Sequence, residues 1–393
     1  MSRPTPPLLF GAIADDLTGG TELASMLVAR GIPTGCTVGT DAPIQAGNVA
    51  HVILLKTRVI PAADAVAQVL RAAEKLLAAG ARQIFFKYCA TFDSTPAGNI
   101  GPCAEALLER LGESPKRFDP LTPMTDSNLV RVLAAQSRSK VGLVPFTVVD
   151  AGAQAIREAV RERTARGEKL LVTDTIRERD LQAIADAAFD LPLMTGNSSV
   201  TAHLPPAWIA HGLLDAGDLV TAKLPAVEGP AAVLAGSVAD RTAEQLDRFA
   251  RHHPLLSIDL GKALAGADVV GEARAFAARH LPGEMIAIAT TAPQGEVEAL
   301  QKAHGREAAA AKAEAVLAEI AQLLVGAFGV RRLVVAGGET SGAVVKALGI
   351  DRIAMGAYEG PGVSRAIAYP GGDTSDPLAL MLKSGKLGEP DIF

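Results

Sequence analysis

The chain has 393 residues, of which 49% are hydrophobic and 21% charged, a composition typical of a folded protein of about two to three domains. Its formal net charge of −5 lacks the basic excess of a nucleic-acid-binding protein, and no apolar run is long enough to cross a bilayer. We therefore expect neither nucleic acid nor a membrane as a partner. The three cysteines lack CxxC spacing, which disfavours disulfides or zinc and favours a cytoplasmic location.

Short apolar runs alternate with amphipathic stretches, which is the pattern of βαβ units and largely parallel sheets. We predict strands at 8–14, 52–55, 83–86, 170–172, 191–194, 232–235, 285–290 and 333–336. We predict helices after the first strand, at 62–79, near 307–328 and after Ser341. A further helix follows GSVADRT, and the spacing of Thr242 and Gln245 predicts a capping box at its start.

Residues 204–230 are rich in proline and glycine and are predicted to connect two domains. The fold class is therefore α/β, with domains at 1–215 and 216–393. Each domain is expected to hold a largely parallel sheet flanked by helices. Ligands of such sheets bind outside the carboxyl ends of the strands.

The first polar motif is GAIADDLTGG at 11–20, which places Asp15 and Asp16 in the turn after the first predicted strand. Adjacent carboxylates at this position can hold a metal, accept a proton from a hydroxyl or bind substrate hydroxyls. Alternatively, one of them only caps the next helix, alongside Thr18.

More polar side chains follow the next predicted strands. Arg58, in the sequence KTR, can clamp a carboxylate with two hydrogen bonds, although alone it is equally a solvated arginine. Lys87, Asp93 and Ser94 form a denser group that can bind an anion and supply a base. The alternative for this loop is a plain turn closed by its own hydroxyls.

Two glycine loops follow strands in the C-terminal half, and each precedes a helix. The first contains Gly236 and Ser237. The second, AGGETSG, supplies Gly337, Gly338, Glu339, Thr340, Ser341 and Gly342. N–H groups and hydroxyls at a helix N-terminus bind anions, so the pair predicts a nucleotide site, although neither loop is a Walker A or GxGxxG motif. The run LKSGKLG at 382–388 reads by itself as a frayed polar terminus.

In this order, the motifs resemble the four-carbon acid sugar kinase family. The matching segments are IADDLTG, KTR, the DST loop, PLTPMTDSNLVRVL, TGNSS, AGSVADRT, AGGETSG and LKSGKLG, which together cover nearly the whole chain. The forms FKYCATFDSTPAGNIGP and PLTPMTDSNL resemble the 3-oxo-tetronate kinase branch of that family.

The resemblance implies ATP-dependent phosphorylation of the terminal 4-hydroxyl of a four-carbon acid sugar, with 3-oxo-tetronate as the first candidate. It implies a cleft between an acid-sugar domain and an ATP domain, with Mg²⁺ as cofactor and its protein ligands unassigned. The residues implied for the acid sugar are Asp15, Asp16, Arg58, Lys87, Asp93 and Ser94. Catalysis would use Asp93 or Asp16 as the base, with Asp93 preferred, and Lys87 to offset charge. Those implied for ATP are Ser237, the 337–342 loop and Gly385.

One stretch departs from the family pattern, because GESPKRFDP at 112–120 stands where family members carry a longer segment. Because a shortened acid-sugar domain would lack part of its substrate pocket, a non-catalytic sugar-acid sensor is one alternative function. A threonate or erythronate kinase of the same family is another. A nicotinamide-dependent dehydrogenase fits the fold but lacks its fingerprint. An exposed apolar face would support a homodimer.

Overall fold

The computed structural model describes residues 7–89, 92, 94, 97–112, 128–281, 283–290 and 302–393, without the side chains of 306 and 307. The predicted base Asp93 and the segment 113–127 lie outside the described residues. The chain divides into two compact units, Met1–Ala222 and Lys223–Phe393.

The N-terminal unit alternates strands and helices. Its strands are β1 (Phe10–Ala14), β2 (Thr34–Val38), β3 (Ala50–Leu54), β4 (Gln83–Lys87), β5 (Lys140–Val144), β6 (Glu168–Thr173) and β7 (Leu193–Gly196). Its helices are α1 (Leu17–Ala29), α2 (Ala62–Ala78), α3 (Ile100–Leu111), α4 (Leu129–Ala134), α5 (Phe146–Asp150), α6 (Ala153–Ala165), α7 (Glu178–Ala188) and α8 (Leu204–Ala210).

The main sheet of this unit is entirely parallel, with strand order β2-β3-β1-β4-β7, and β5 and β6 form a separate parallel pair. Every residue of β1, β3 and β4 is buried, as expected for the centre of a sheet covered on both faces. Helix α1 packs closely on this sheet because Gly20 has no side chain. A Cβ at Gly20 would overlap Leu54 of β3 and lie 2.6 Å from the Cβ of Ala14.

The C-terminal unit repeats this alternation. Its strands are β8 (Ala231–Ala235), β9 (Leu255–Ser257), β10 (Ile286–Ala289), β11 (Arg332–Ala336), β12 (Ile353–Met355), β13 (Val363–Ala368) and β14 (Leu378–Lys383). Its helices are α9 (Asp240–Phe249), α10 (Leu260–Leu264), α11 (Val269–His280), α12 (Arg306–Ala327) and α13 (Gly338–Ala347). The strand order is β12-β13-β14-β11-β8-β10-β9, parallel except for β12 and β13, which pair antiparallel at one edge.

The predicted fold class is confirmed, and the predicted strands are present with ends that differ by at most two residues. Two local predictions are wrong. Helix α9 begins after Ala239, so Thr242 lies inside the helix and caps nothing. The run LKSGKLG is not a frayed terminus, because Leu382 and Lys383 are the buried end of β14 in the middle of the sheet.

Cys36, Cys89 and Cys103, all within the described residues, form no disulfide bond. Within the described ranges, no helix combines the length and the apolar character that a membrane span requires.

Candidate functional site

Asp15 and Asp16 follow β1 directly and share one arginine. Arg58 donates from Nε and Nη2 to the two carboxylate oxygens of Asp15, at 3.0 and 2.7 Å, and its Nη2 lies 3.0 Å from Oδ1 of Asp16. Asp16 also caps α1, because Oδ1 accepts from the N–H of Gly19 at 3.0 Å. Capping and charge pairing therefore coexist at Asp16, and the two roles are not alternatives.

The loop that carries Arg58 is fixed by a residue that the sequence patterns did not assign to the site. Asn99, at the start of α3, is buried and donates its amide N–H groups to the carbonyls of Thr57 at 2.6 Å and Ile60 at 2.8 Å. The N–H of Thr57 in turn donates to the carbonyl of Asp15 at 3.0 Å. Arg58 is thus held on a rigid support rather than on a free loop.

Lys87 completes the charged group from the next strand. It is buried, its Nζ donates to the carbonyl of Tyr88 at 2.8 Å, and its own carbonyl accepts from the N–H of Asp15 at 2.9 Å. A Cβ at Gly19 would collide with Nζ, so the glycine of the ADDLTGG motif makes room for the ammonium beside the α1 N-terminus. The structure therefore brings Asp15, Asp16, Arg58 and Lys87 together, as the parallel-strand pattern predicts.

The two carboxyls of this group differ in their electrostatics. Burial raises the pKa of Asp15, and the Arg58 guanidinium opposes that rise only in part. Burial also acts to raise the pKa of Asp16, but the charges of Arg58 and Lys87 and hydrogen bonds from Thr18 and Gly19 outweigh it, so its pKa is lowered. The pKa shifts therefore favour the ionised form of Asp16 more than that of Asp15.

Two described residues that follow β4 line a small pocket beside the charged group. Ser94 and Cys89 line this pocket together with Asp15, Arg58 and Asn99. Phe92, within the loop, has a positive φ of 48°, a conformation that costs a bulky residue of the order of 1–3 kcal/mol. Its ring is buried edge-on to Tyr88, at 5.5 Å between centroids, which stabilises the strained backbone. Strain of this kind often accompanies a binding loop.

A further polar group follows β7, where the sequence patterns indicate no site residue. Ser198 donates to the Glu22 carboxylate of α1 at 2.6 Å, and both Asn197 and Ser198 are buried. Because β7 is the neighbour of β4, these side chains continue the row of polar groups along the carboxyl edge of the sheet. The sequence signal for them was the TGNSS segment.

Three loops meet at the carboxyl edge of the C-terminal sheet, after the neighbouring strands β14, β11 and β8. The N–H of Gly337 donates to the carbonyl of Lys383 at 2.9 Å, and the N–H of Gly236 donates to the carbonyl of Ala336 at 3.1 Å. Gly337 has φ +124°, which a residue with a side chain rarely adopts, and it precedes α13. The helix N-terminus at 338–342 therefore opens beside the other two loops, as an anion site requires.

Ser237 and Gly385, which are 148 positions apart, lie against each other. A Cβ at Gly385 would overlap Oγ of Ser237. The carbonyl of Gly385 accepts from Oγ1 of Thr242 at 2.8 Å, so the residue predicted to cap α9 instead anchors this loop. The predicted nucleotide residues Ser237, Thr340 and Gly385 thus belong to one cluster, in which Thr340 packs beside Gly236.

Replacing Gly385 with Ala is expected to raise the KM for ATP by about ten- to hundredfold, because relieving an overlap of this kind costs about 1–3 kcal/mol. The KM for the acid-sugar acceptor should change less than threefold, since the substitution lies in the cluster that we predict to bind the nucleotide. Steady-state kinetics with each substrate varied in turn measure both values. Gly360→Ala is the matched control, because a Cβ there meets nothing within 4 Å. An unchanged KM for ATP in Gly385→Ala would contradict the assignment.

In the part of the chain that the structure describes, no group of three or more His, Cys, Asp or Glu side chains is arranged to hold a metal ion. Glu339, in the first turn of α13, is the carboxylate among the predicted nucleotide residues.

Two family models match different parts of the chain. A family model described as a nucleotide-binding C-terminal domain matches residues 232–393. A second, described as a sugar-binding N-terminal domain, matches in two pieces, 10–115 and 109–204. A curated 3-oxo-tetronate kinase from Burkholderia multivorans is 44% identical over 100% of this chain and 96% of its own length. Another from Salmonella typhimurium is 34% identical, with 98% of each chain covered.

The chain belongs to the four-carbon acid sugar kinase family.

Two solved structures agree with this membership. A protein from Salmonella typhimurium LT2, described as a tRNA synthase, superposes with a TM-score of 0.83 at 33% identity, covering 98% of this chain and 97% of its own. A Haemophilus influenzae protein superposes with a TM-score of 0.74 at 31% identity, and 98% of both chains is covered. The first description stands apart from the kinase names of the curated family members.

The shortened stretch predicted at 112–120 also has support from these comparisons. The sugar-binding family model matches in two pieces that overlap at residues 109–115. The alignment with the Burkholderia kinase spans 423 positions, more than the 393 residues of this chain. The relative therefore carries residues that this family member lacks.

Proposed function

We propose that this protein is an ATP-dependent kinase that phosphorylates the terminal hydroxyl of a four-carbon acid sugar, converting 3-oxo-tetronate to 3-oxo-tetronate 4-phosphate. The proposal assigns acid-sugar binding to residues 1–215 and ATP binding to residues 216–393. The observation that carries it is the near full-length identity of 40–44% with several curated 3-oxo-tetronate kinases, combined with an acidic cluster in one unit and glycine loops in the other.

The acceptor would bind at the cluster of Asp15, Asp16, Arg58, Lys87 and Ser94. The ammonium of Lys87 and the guanidinium of Arg58, which also pairs with Asp15 and Asp16, would attract the substrate carboxylate, and the aspartates would accept hydrogen bonds from its hydroxyls. Asp16, which stays ionised, can receive the proton of the attacking hydroxyl, and Asp93 remains the other candidate base. Lys87 would offset the charge that develops on the transferred phosphoryl oxygens.

The donor would bind at Ser237, Gly385 and the 337–342 loop. Backbone N–H groups of a glycine loop and a helix N-terminus donate hydrogen bonds to phosphates. When bound, Mg²⁺ would neutralise charge on the phosphates. The ion typically keeps several waters and needs only one or two protein carboxylates, so the single carboxylate of Glu339 fits this role. Since transfer requires the acceptor hydroxyl to meet the γ-phosphate, the shared cleft predicted from the sequence is part of the proposal.

The competing functions differ in substrate or in chemistry. A threonate or erythronate kinase would use the same residues on a reduced acid. A sugar-acid sensor is favoured by the shortened stretch near residue 112, which removes material from the acceptor side. A function on tRNA is not favoured, because the net charge is −5.

The deciding experiment is a coupled ADP-release assay with Mg²⁺-ATP and each of 3-oxo-tetronate, threonate and erythronate. We expect turnover with 3-oxo-tetronate, and phosphorus NMR should place the new phosphate on C4. Turnover with threonate or erythronate but not with 3-oxo-tetronate would show that the protein is a threonate or erythronate kinase. Tight binding of an acid by calorimetry without ADP release would select the sensor.

A homodimer and a cytoplasmic location also belong to this proposal. Sedimentation analysis of the purified protein would decide the first, and fractionation of the source cells the second.

A further inference from the structure

Lys383 is a buried ammonium that the proposed mechanism does not use. It is the last residue of β14, its side chain is 0% exposed, and it lies directly beside the nucleotide cluster. A buried lysine needs acceptors for its three N–H groups, because an unpaired buried charge is strongly destabilising.

Three oxygens surround the ammonium, one for each N–H. Nζ donates to the carbonyl of Ser384 at 2.7 Å, to the carbonyl of Leu387 at 3.0 Å and to Oγ1 of Thr242 at 3.3 Å. The ring of Phe393 also lies near the ammonium, with its centroid 5.7 Å away. The ammonium therefore closes the turn at 384–387 from inside.

The hydrogen bonds continue from the ammonium to the nucleotide cluster. The Thr242 hydroxyl accepts from Lys383 and donates to the carbonyl of Gly385 at 2.8 Å. Gly385 is the residue that packs against Ser237. Gln245, one turn along α9, adds a hydrogen bond to the carbonyl of Glu389 at 2.8 Å.

We propose that Lys383 is a positioning residue for the nucleotide: through Thr242 it holds the 384–387 turn so that Gly385 and Ser237 form one phosphate-binding surface. This inference rests on the proposed ATP site. Lys383 acts through other residues and from inside the protein.

Lys383 also makes the site sensitive to pH. Burial and the charge of Arg241 lower the pKa of Lys383 to about 8. Arg241, which is paired with Glu244 at 2.8 Å, is the charged residue on α9 that acts on Lys383. The groups described in contact with Nζ, which are a hydroxyl, two carbonyls and a phenyl ring, carry no charge. Above pH 8 the neutral amine has two N–H groups for three acceptors, so the turn is held less firmly.

The test compares Lys383→Met and Thr242→Val with wild type, and Lys346→Met, an exposed lysine of the same unit, is the control. In each of the first two variants, we expect about a tenfold rise in the Kd for the non-hydrolysable analogue AMP-PNP, measured by calorimetry, and in the KM for ATP. The double variant should also show a rise of about tenfold rather than hundredfold, because both substitutions break the same chain of hydrogen bonds. The acceptor KM should stay within about twofold. Thr242→Val keeps the buried volume and tests the inference even if Lys383→Met does not fold.

A second readout is the pH profile between 7 and 9.5. The Kd of wild type for AMP-PNP should rise above pH 8, and that of Lys383→Met should not show this rise. An unchanged Kd in both variants, or equal losses for analogue and acceptor, would overturn the inference. If wild type binds AMP-PNP but phosphorylates no four-carbon acid, the proposed function fails while the role of Lys383 is still tested by binding.

Discussion

The Asp16→Asn variant is expected to keep its fold and to lose a factor of about 10²–10⁴ in kcat/KM, the range for loss of a general base. The amide is nearly isosteric with the carboxylate. Its oxygen can occupy the position of Oδ1, where it still accepts from the N–H of Gly19 and from Arg58. Its nitrogen then faces the Thr18 hydroxyl, which can rotate from donor to acceptor. Only the negative charge is removed.

The matched control for this experiment is Asp16→Ala, which removes the cap as well as the charge. It should lose a similar factor in turnover and about 1 kcal/mol more stability than the Asn variant, since Asn is as good an N-cap as Asp. Coupled ADP release gives the kinetics, and urea unfolding gives the stability. If Asp16→Asn turns over within a fewfold of wild type, the charge of Asp16 is not needed and Asp93 becomes the base to test.

Arg58→Met is expected to lower the stability of the N-terminal unit by about 3 kcal/mol and to abolish acceptor binding, because it leaves the buried carboxylate of Asp15 without its partner. Trp208 is the sole tryptophan, is fully buried in this unit and packs on Phe10 at 5.5 Å, so its fluorescence reports unfolding of this unit. Adding Asp15→Asn should recover part of the lost stability but no activity.

The control for Arg58 is Arg157→Met in the same unit. Arg157 donates to Asp190 at 2.9 Å, but the Asp190 side chain is 48% exposed and stays solvated when the arginine is lost. That variant should cost about 1 kcal/mol or less and keep full activity. Equal stability losses in the two arginine variants would show that the buried Arg58–Asp15 pair contributes no more to stability than the solvated Arg157–Asp190 pair.

The sequence predicts the convergence of Asp15, Arg58 and Lys87 for a simple geometric reason. Each lies at or shortly after the carboxyl end of a strand of one parallel sheet, and parallel strands end at the same edge. The same argument brings together Ser237, Gly337 and Gly385. Alternating apolar and amphipathic segments are sufficient for this part of the fold, because they fix which residues are buried and which loops lie at the active edge.

Supporting residues are not predicted, because their partners are far away in the chain. Asn99 holds carbonyls 39–42 positions earlier, and Thr242 holds a carbonyl 143 positions later. A local pattern such as the Thr242 capping box competes with such distant partners, and here the distant partner prevails. Lys383 is a similar case, because only its pairing with β13 and β11 makes a polar run the end of a buried strand.

The position of β14 has a consequence for how the protein is made. It is the last strand in the chain but lies between β11 and β13, and β11 precedes it by 42 positions or more. The sheet of the C-terminal unit cannot be closed on the ribosome until residue 383 has emerged, whereas every strand of the N-terminal unit is complete by residue 196. The acidic cluster can therefore assemble during synthesis before the three glycine-containing loops of the C-terminal sheet are brought together.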